Sequence, residues 1–174
     1  GLVGSEMCIR DSKNPSLSPE ERTADLLQRM TLEEKIAQIR HIHSWNIFEE
    51  QELNKSKLQE FVGDLCWGFV EGFPLTGENC HRHMRHIQEY MLNHTRLGIP
   101  IFTVAEALHG SVHEGSTIYP QNIALASTFN PELAYLRATE ISKELHYQGI
   151  NQILAPCIDV VRDCLLYTSP SPRD

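Results

Sequence analysis

Two stretches of this chain gather groups able to do chemistry. Glu106-Ala107-Leu108-His109-Gly110 sets a carboxylate and an imidazole at the end of an apolar, β-rich run, Ile99 to Ala105. Asp159-Val160-Val161-Arg162-Asp163 sets two carboxylates and a guanidinium at the end of a second run, Ile153 to Ile158. Buried strands normally avoid ionisable residues at that density. In parallel α/β architectures ligands bind at the carboxyl ends of the strands, so both clusters sit where binding is expected. The plainer use of Glu106 is an ion pair with a neighbouring lysine or arginine. His109 is expected to bond loop backbone while Gly110 permits a tight turn, with direct ligand contact as the alternative. Asp159 and Arg162 are expected to pair with each other or to brace the strand end.

The histidines raise a separate possibility. His41, His43, His81, His83 and His86 lie close enough in sequence to suggest a metal cluster. On a helix, residues three apart share a face and residues two apart do not, so His83 and His86 align but His81 does not. No carboxylate completes a ligand set at strict spacing. A solvated helix surface is therefore expected, with no metal and no cofactor.

The elements that must carry these groups are legible from caps and periods. Ser18-Pro19-Glu20-Glu21 and Thr31-Leu32-Glu33-Glu34 each pair a capping hydroxyl with a glutamate three residues on, so two short helices abut near Met30. Ile36, Ala37 and Ile39 give the second an apolar stripe. A third helix is predicted from Asn54 to Val62, ended by Gly63, then a short buried strand over Leu65–Val70. A helix over 79–96 puts Met84, Ile87 and Met91 on one face and stops at Gly98. The strand Ile99–Ala105 leads into a glycine-containing loop, His109 to Gln121. Asn130-Pro131-Glu132 opens a last helix with Ala134, Ala138, Ile141 and Leu145 inward and Gly149 as its stop. Strand, helix, strand, helix, strand with nearly continuous apolar strands means parallel βαβ units. Such units begin either a doubly wound sheet or a (β/α)8 barrel. No Gly-x-Gly-x-x-Gly follows a strand, which weakens the nucleotide-binding option.

Composition narrows the partners. The 174 residues are 41% hydrophobic with a formal net charge of -8, so nucleic acid and anionic membrane are unsuitable partners. No apolar run has the length of a bilayer span. Cys66, Cys80 and Cys157 are too widely spaced for a zinc pattern or a disulfide framework, and Cys157 reads as a small buried hydrophobe. Asn93-His94-Thr95 fits a glycosylation sequon but sits late in a predicted helix, where it reads as accidental. The ends differ in texture from the middle. Residues 1–12, GLVGSEMCIRDS, and 164–174, CLLYTSPSPRD, continue no period and resemble translated adapter read-through, leaving 13–163 as the expected protein segment.

Four segments in order, LLQRMTLEEKIAQ, IPIFTVAEALHG, STIYPQNIALASTFNPELAYLRATEISKELHYQGINQ and ILAPCIDVVRD, resemble the start of the N-terminal barrel of glycoside hydrolase family 3. The resemblance covers nearly all of 14–163. It implies an α/β fold, the N-terminal part of a (β/α)8 TIM-type barrel with about three β/α units preceded by short helices. It implies retaining hydrolysis of terminal β-linked glucose or xylose by two carboxyl groups about 5 Å apart, one nucleophile and one acid/base. In the family both come from later in the chain, so no catalytic residue is assigned here and the segment alone is expected to be inactive. The family pattern runs on after Arg162-Asp163 into Pro-Arg-Trp-Gly-Arg, and Cys164 breaks it. The substrate-binding arginine belongs to that missing stretch, so Arg162 does not inherit its role.

At the position of Glu106 the family carries an acidic residue that accepts hydrogen bonds from hydroxyls of the non-reducing-end sugar. A charged acceptor can hold two adjacent hydroxyls, which makes substrate contact the expected role of Glu106. Its extra methylene relative to aspartate occupies space a glucose hydroxymethyl would need, which favours a pentose such as xylose. The expected partner is an oligosaccharide or glycoside, and the resemblance slightly favours a periplasmic or secreted location. A non-catalytic sugar-binding α/β module, with Glu106 and His109 holding a ligand, is the competing expectation. A metal-dependent α/β enzyme is the third.

Overall fold

The computed structural model describes residues 11–72 and 76–156. These form two compact units, each built around its own core: one runs to Val70 and takes in His86–Ile101, the other joins Glu71–Arg85 to the residues from Phe102 onward.

The first unit opens with α1, Pro19–Arg29, and α2, Leu32–Gln38. Both begin with the expected reciprocal caps. Ser18 Oγ accepts from the Glu21 N–H while Glu21 accepts from the Ser18 N–H, and Thr31 and Glu34 repeat the exchange. Then come β1, His41–His43, a 3₁₀ turn at Ser44–Asn46, a hairpin of β2, Phe48–Glu49, and β3, Glu52–Leu53, and helix α3, Lys55–Val62. The hairpin is antiparallel, with Phe48 opposite Leu53. Asn54 caps α3 and Gly63, at φ 64°, ends it. β4, Phe69–Glu71, neighbours β1 and has its last residue in the second unit; the long helix α4, Gly77–His94, begins in the second unit and ends in the first. Among the described residues no helix is long and apolar enough to cross a membrane.

Glu34 does more than cap. It is 4% exposed and takes a two-pronged bond from Arg96, 2.6 Å from Nε and 2.5 Å from Nη2, while Arg96 Nη2 also reaches the Arg29 carbonyl. The Arg96 guanidinium holds the Glu34 carboxyl below the usual carboxylate range, with burial opposing. A depressed folded-state value means this stabilisation is present above the ordinary carboxylate pKa and is lost as pH falls through the folded one. Glu34→Gln is expected to cost about 2 kcal/mol at neutral pH and to flatten the acid limb of the stability curve. Urea unfolding of the full-length protein from pH 3 to 8 checks this; an unchanged acid limb contradicts it.

The second unit contains β5, Phe102–Glu106, then α5, Asn122–Ala126, α6, Pro131–Tyr147, and β6, Gln152–Leu154. β5 and β6 pair in parallel, Val104 opposite Gln152 and Glu106 opposite Leu154. The first half of α4 supplies core residues Cys80, His83 and Met84. Helix α6 is capped by Asn130, and the Gly149 turn after it packs so closely that a Cβ there would sit 3.0 Å from the Met84 Cβ.

Several expectations are corrected. The strand expected over Leu65–Val70 shrinks to Phe69–Glu71. Upstream residues are bonded otherwise: the Cys66 carbonyl accepts from Gln38 Nε2, and Cys66 Sγ lies 3.2 Å from the Ile99 N–H. Ile99–Ala105 likewise shortens to Phe102–Glu106. Gln88 takes both backbone groups of Ile101, accepting its N–H at 3.1 Å and donating to its carbonyl at 2.5 Å. The third strand is Gln152–Leu154, half-buried to exposed, rather than a buried strand from Ile153; Pro156, with no N–H, cannot extend a ladder, and Cys157 and Ile158 lie outside the described residues. The stripe on α2 is not buried, since Ile36 and Ile39 are exposed and only Ala37 is covered. On α6 only Ile141 and Leu145 are buried, while Ala134 and Ala138 face outward. The strand at His41–His43 and the hairpin were not anticipated, being too short to show a period.

Candidate functional site

β5 is buried at Thr103, Val104 and Ala105 and emerges at Glu106. A parallel strand covered on both faces gives this pattern, with its polar residue at the carboxyl end. The Glu106 side chain is exposed, beside the end of β6, and forms no hydrogen bond or ion pair with any described residue. The lysine or arginine partner considered for it is thus absent among the described residues.

The chain beyond Glu106 turns inward at once. Ala107 is 3% exposed and Ser111 fully buried. Gly110 has φ 126°, and a Cβ there would lie 2.2 Å from the Thr117 carbonyl oxygen, so glycine is demanded on both counts. The loop closes on itself where the Tyr119 N–H donates to the His109 carbonyl at 2.7 Å. That carbonyl, not the imidazole, makes the loop's closing bond; Nδ1 of His109 is buried with no partner among the described residues. Asp159 and Arg162 lie outside the described residues.

Behind this loop sits a buried polar cluster that the sequence did not announce. The Ser111 hydroxyl donates to Gln148 Oε1 at 2.9 Å, and His113 Nδ1 lies 2.6 Å from Ser111 Oγ and 3.0 Å from Gln148 Oε1. Gln148 Nε2 donates to Ser116 Oγ at 2.7 Å, which orients its oxygen toward His113. With the Ser111 proton directed to Gln148 Oε1, both oxygens turn lone pairs toward His113 Nδ1, which assigns the ring proton to that nitrogen. On the other side Nε2 faces Cys80 Sγ at 3.8 Å. Burial pushes the Cys80 thiol up to about 12, so it stays an S–H donor. Burial also pulls His113 below the usual histidine value, partly offset by the hydrogen bond to Gln148; the net shift favours the neutral ring. The Thr117 N–H adds a bond to the Glu144 carboxylate at 3.0 Å. Only the Ser-x-His spacing inside a glycine-bearing loop hinted at this cluster.

Of the other histidines, His41 and His81 are exposed as expected and His86 is half-buried, but His83 departs from that expectation. His83 is 2% exposed, packed on the inner face of α4 with Met84, because residues 80, 83, 84 and 87 share one helical side. His43 stacks on Trp45, ring centroids 4.0 Å apart and planes 7° apart, and His41 stacks on His43. Among the described residues no three His, Cys, Asp or Glu side chains converge on a point that could hold a metal ion.

Residues 31–168 match the glycosyl hydrolase family 3 N terminal domain. The chain belongs to this family. The family 3 chain is 34% identical over 160 residues to a Formosa agariphila protein named as a β-xylosidase, and 31% identical over 153 residues to a periplasmic β-glucosidase of Salmonella typhimurium. These alignments cover 88% and 86% of the chain but only 21% and 18% of the relatives. Among solved structures it is similar to a β-glucosidase from Erythrobacter marinus, with TM-score 0.77 and 27% identity over 88% of the chain and 20% of the neighbour. The family 3 chain therefore spans about a fifth of the length of the relatives it matches. Its parallel strands and intervening helices are those of the N-terminal portion of the barrel.

Proposed function

We propose that this chain is the opening segment of an exo-acting, retaining β-glycosidase that removes terminal β-linked glucose or xylose. Membership of family 3 supports the reaction class, and β-xylosidase and β-glucosidase names among the relatives support the two sugars. The observation that carries the site is Glu106: an exposed carboxylate, unpartnered among the described residues, at the carboxyl end of a parallel strand. In this reading Glu106 accepts hydrogen bonds from two adjacent hydroxyls of the terminal sugar. That fixes the ring while a nucleophilic carboxylate attacks the anomeric carbon and an acid/base carboxyl protonates the leaving oxygen. Water then releases the sugar with its configuration retained. Nucleophile and acid/base both belong to chain outside these residues, so the 174-residue chain alone should turn nothing over.

The longer reach of glutamate favours xylose. Full-length protein assayed on aryl β-xyloside and aryl β-glucoside should give kcat/KM about tenfold higher for the xyloside, the discrimination expected for one hydroxymethyl group. The same assay on the isolated chain should give no turnover. A strong glucoside preference would sink the sugar assignment, and hydrolysis by the isolated chain would sink the division of labour.

A further inference from the structure

Building on the substrate role of Glu106, we propose that His113 is a positioning residue for sugar binding. With Ser111 and Gln148 it locks the loop that follows β5, and through that loop it sets the aim of the Glu106 carboxylate. His113 touches no substrate in this scheme.

The chain between the two sites is short and held at both ends. Glu106 is fixed by its register with Leu154, and Ser111, five residues on, is fixed by the buried cluster. Ala107 and Gly110 between them are buried. Nothing regular holds this stretch: Gly110 and Gly115 both take positive φ, and few backbone bonds close the loop. Irregular backbone without a ladder has many near-equivalent paths. An apolar plug would fill the space behind it without choosing among them. A polar cluster does choose, because each bond has a direction and an unmade bond in a buried site is costly. Ser111, His113 and Gln148 are 0%, 5% and 5% exposed, so every misdirected bond would go unmade. His113 is the hub: its ring reaches Gln148 at the end of α6 on one side and Cys80 in α4 on the other. Its backbone N–H reaches Ser111 Oγ at 3.4 Å.

The test uses the full-length protein and an aryl β-glycoside. His113→Ala should raise KM about tenfold and leave kcat within about twofold, the pattern of lost uniform binding. His113→Asn, whose Nδ2–H takes the place of Nδ1–H, should bring KM back to within about threefold of wild type. In a Glu106→Gln background, His113→Ala should add less than about a twofold loss, because the two act through one contact. Full additivity, a fall in kcat alone, or no rescue by asparagine overturns the proposal. Amide exchange gives a readout that needs no activity. The Thr117 and Tyr119 amides should exchange at least about tenfold faster in His113→Ala and return toward wild type in His113→Asn. Unaltered exchange overturns the proposal by itself. A wild-type protein that cleaves no β-glycoside overturns the glycosidase reading instead, and the exchange result then decides whether His113 sets this loop.

Discussion

Glu106→Ala in the full-length protein should lower kcat/KM for the preferred β-glycoside by about 10³-fold. The size follows from what the carboxylate is placed to do. Two hydrogen bonds to a charged acceptor are worth about 2 kcal/mol each, and each 1.36 kcal/mol is about tenfold in rate. No described residue hydrogen-bonds or ion-pairs with the side chain, so none of them competes with a sugar for it in this reading. Glu106→Gln keeps one acceptor and loses the charge, and should fall about 10²-fold. Glu106→Asp tests geometry instead: withdrawing the carboxylate by one methylene should raise the glucoside-to-xyloside ratio while costing some activity on both. Steady-state kinetics on the two aryl glycosides reads all three variants. An alanine variant within about fivefold of wild type would mean that the sugar is gripped elsewhere.

The helices of this chain were legible because their signals are local. Ser18 with Glu21, and Thr31 with Glu34, are complete instructions within four residues, and both capping boxes form. Asn54 and Gly63 bracket α3 for the same reason. Strands were legible in order but not in length, because a residue at a strand end goes to whichever partner reaches it first. Gln88 claims Ile101, and Gln38 claims Cys66, and neither competitor is visible from the strand's own sequence.

Burial failed in a related way. An apolar period identifies a face without identifying what covers it. Ile36, Ile39, Leu133 and Leu136 stay exposed, although their spacing matches that of covered residues such as Met84 and Ile87. His83 failed in the opposite sense: its residue type suggested surface, while its helical phase with Cys80 and Ile87 decided the matter. The strand-end rule points to Glu106, which does stand at the carboxyl end of β5. The rule could not find the cluster behind the loop that follows, because Ser111 and Gln148 are 37 residues apart in sequence and only the fold brings them together.

The first unit has its own point of least tolerance, and it is not an ionisable residue. Gly68→Ala should cost about 4 kcal/mol, at the severe end of single substitutions. A Cβ built there would lie 1.8 Å from the Gln38 carbonyl oxygen and 2.7 Å from its carbon. Both atoms are backbone, at the end of α2, so no side chain can swing aside. Relief requires moving α2 away from the segment leading into β4. That movement breaks the bonds fixing the approach: Gly68 N–H to the Ala37 carbonyl at 3.1 Å, Phe69 N–H to the Arg40 carbonyl at 3.2 Å, and Gln38 Nε2 to the Cys66 carbonyl. Gly63→Ala is the matched control. It has open space around the new methyl, but φ 64° with ψ −134° lies outside the left-handed helical well, so it should cost about 2 kcal/mol of backbone strain. Urea midpoints of the two variants in the full-length protein compare steric closeness with conformational cost directly. If the two shift equally, the contact between Gly68 and Gln38 is not the constraint that holds α2 against β4.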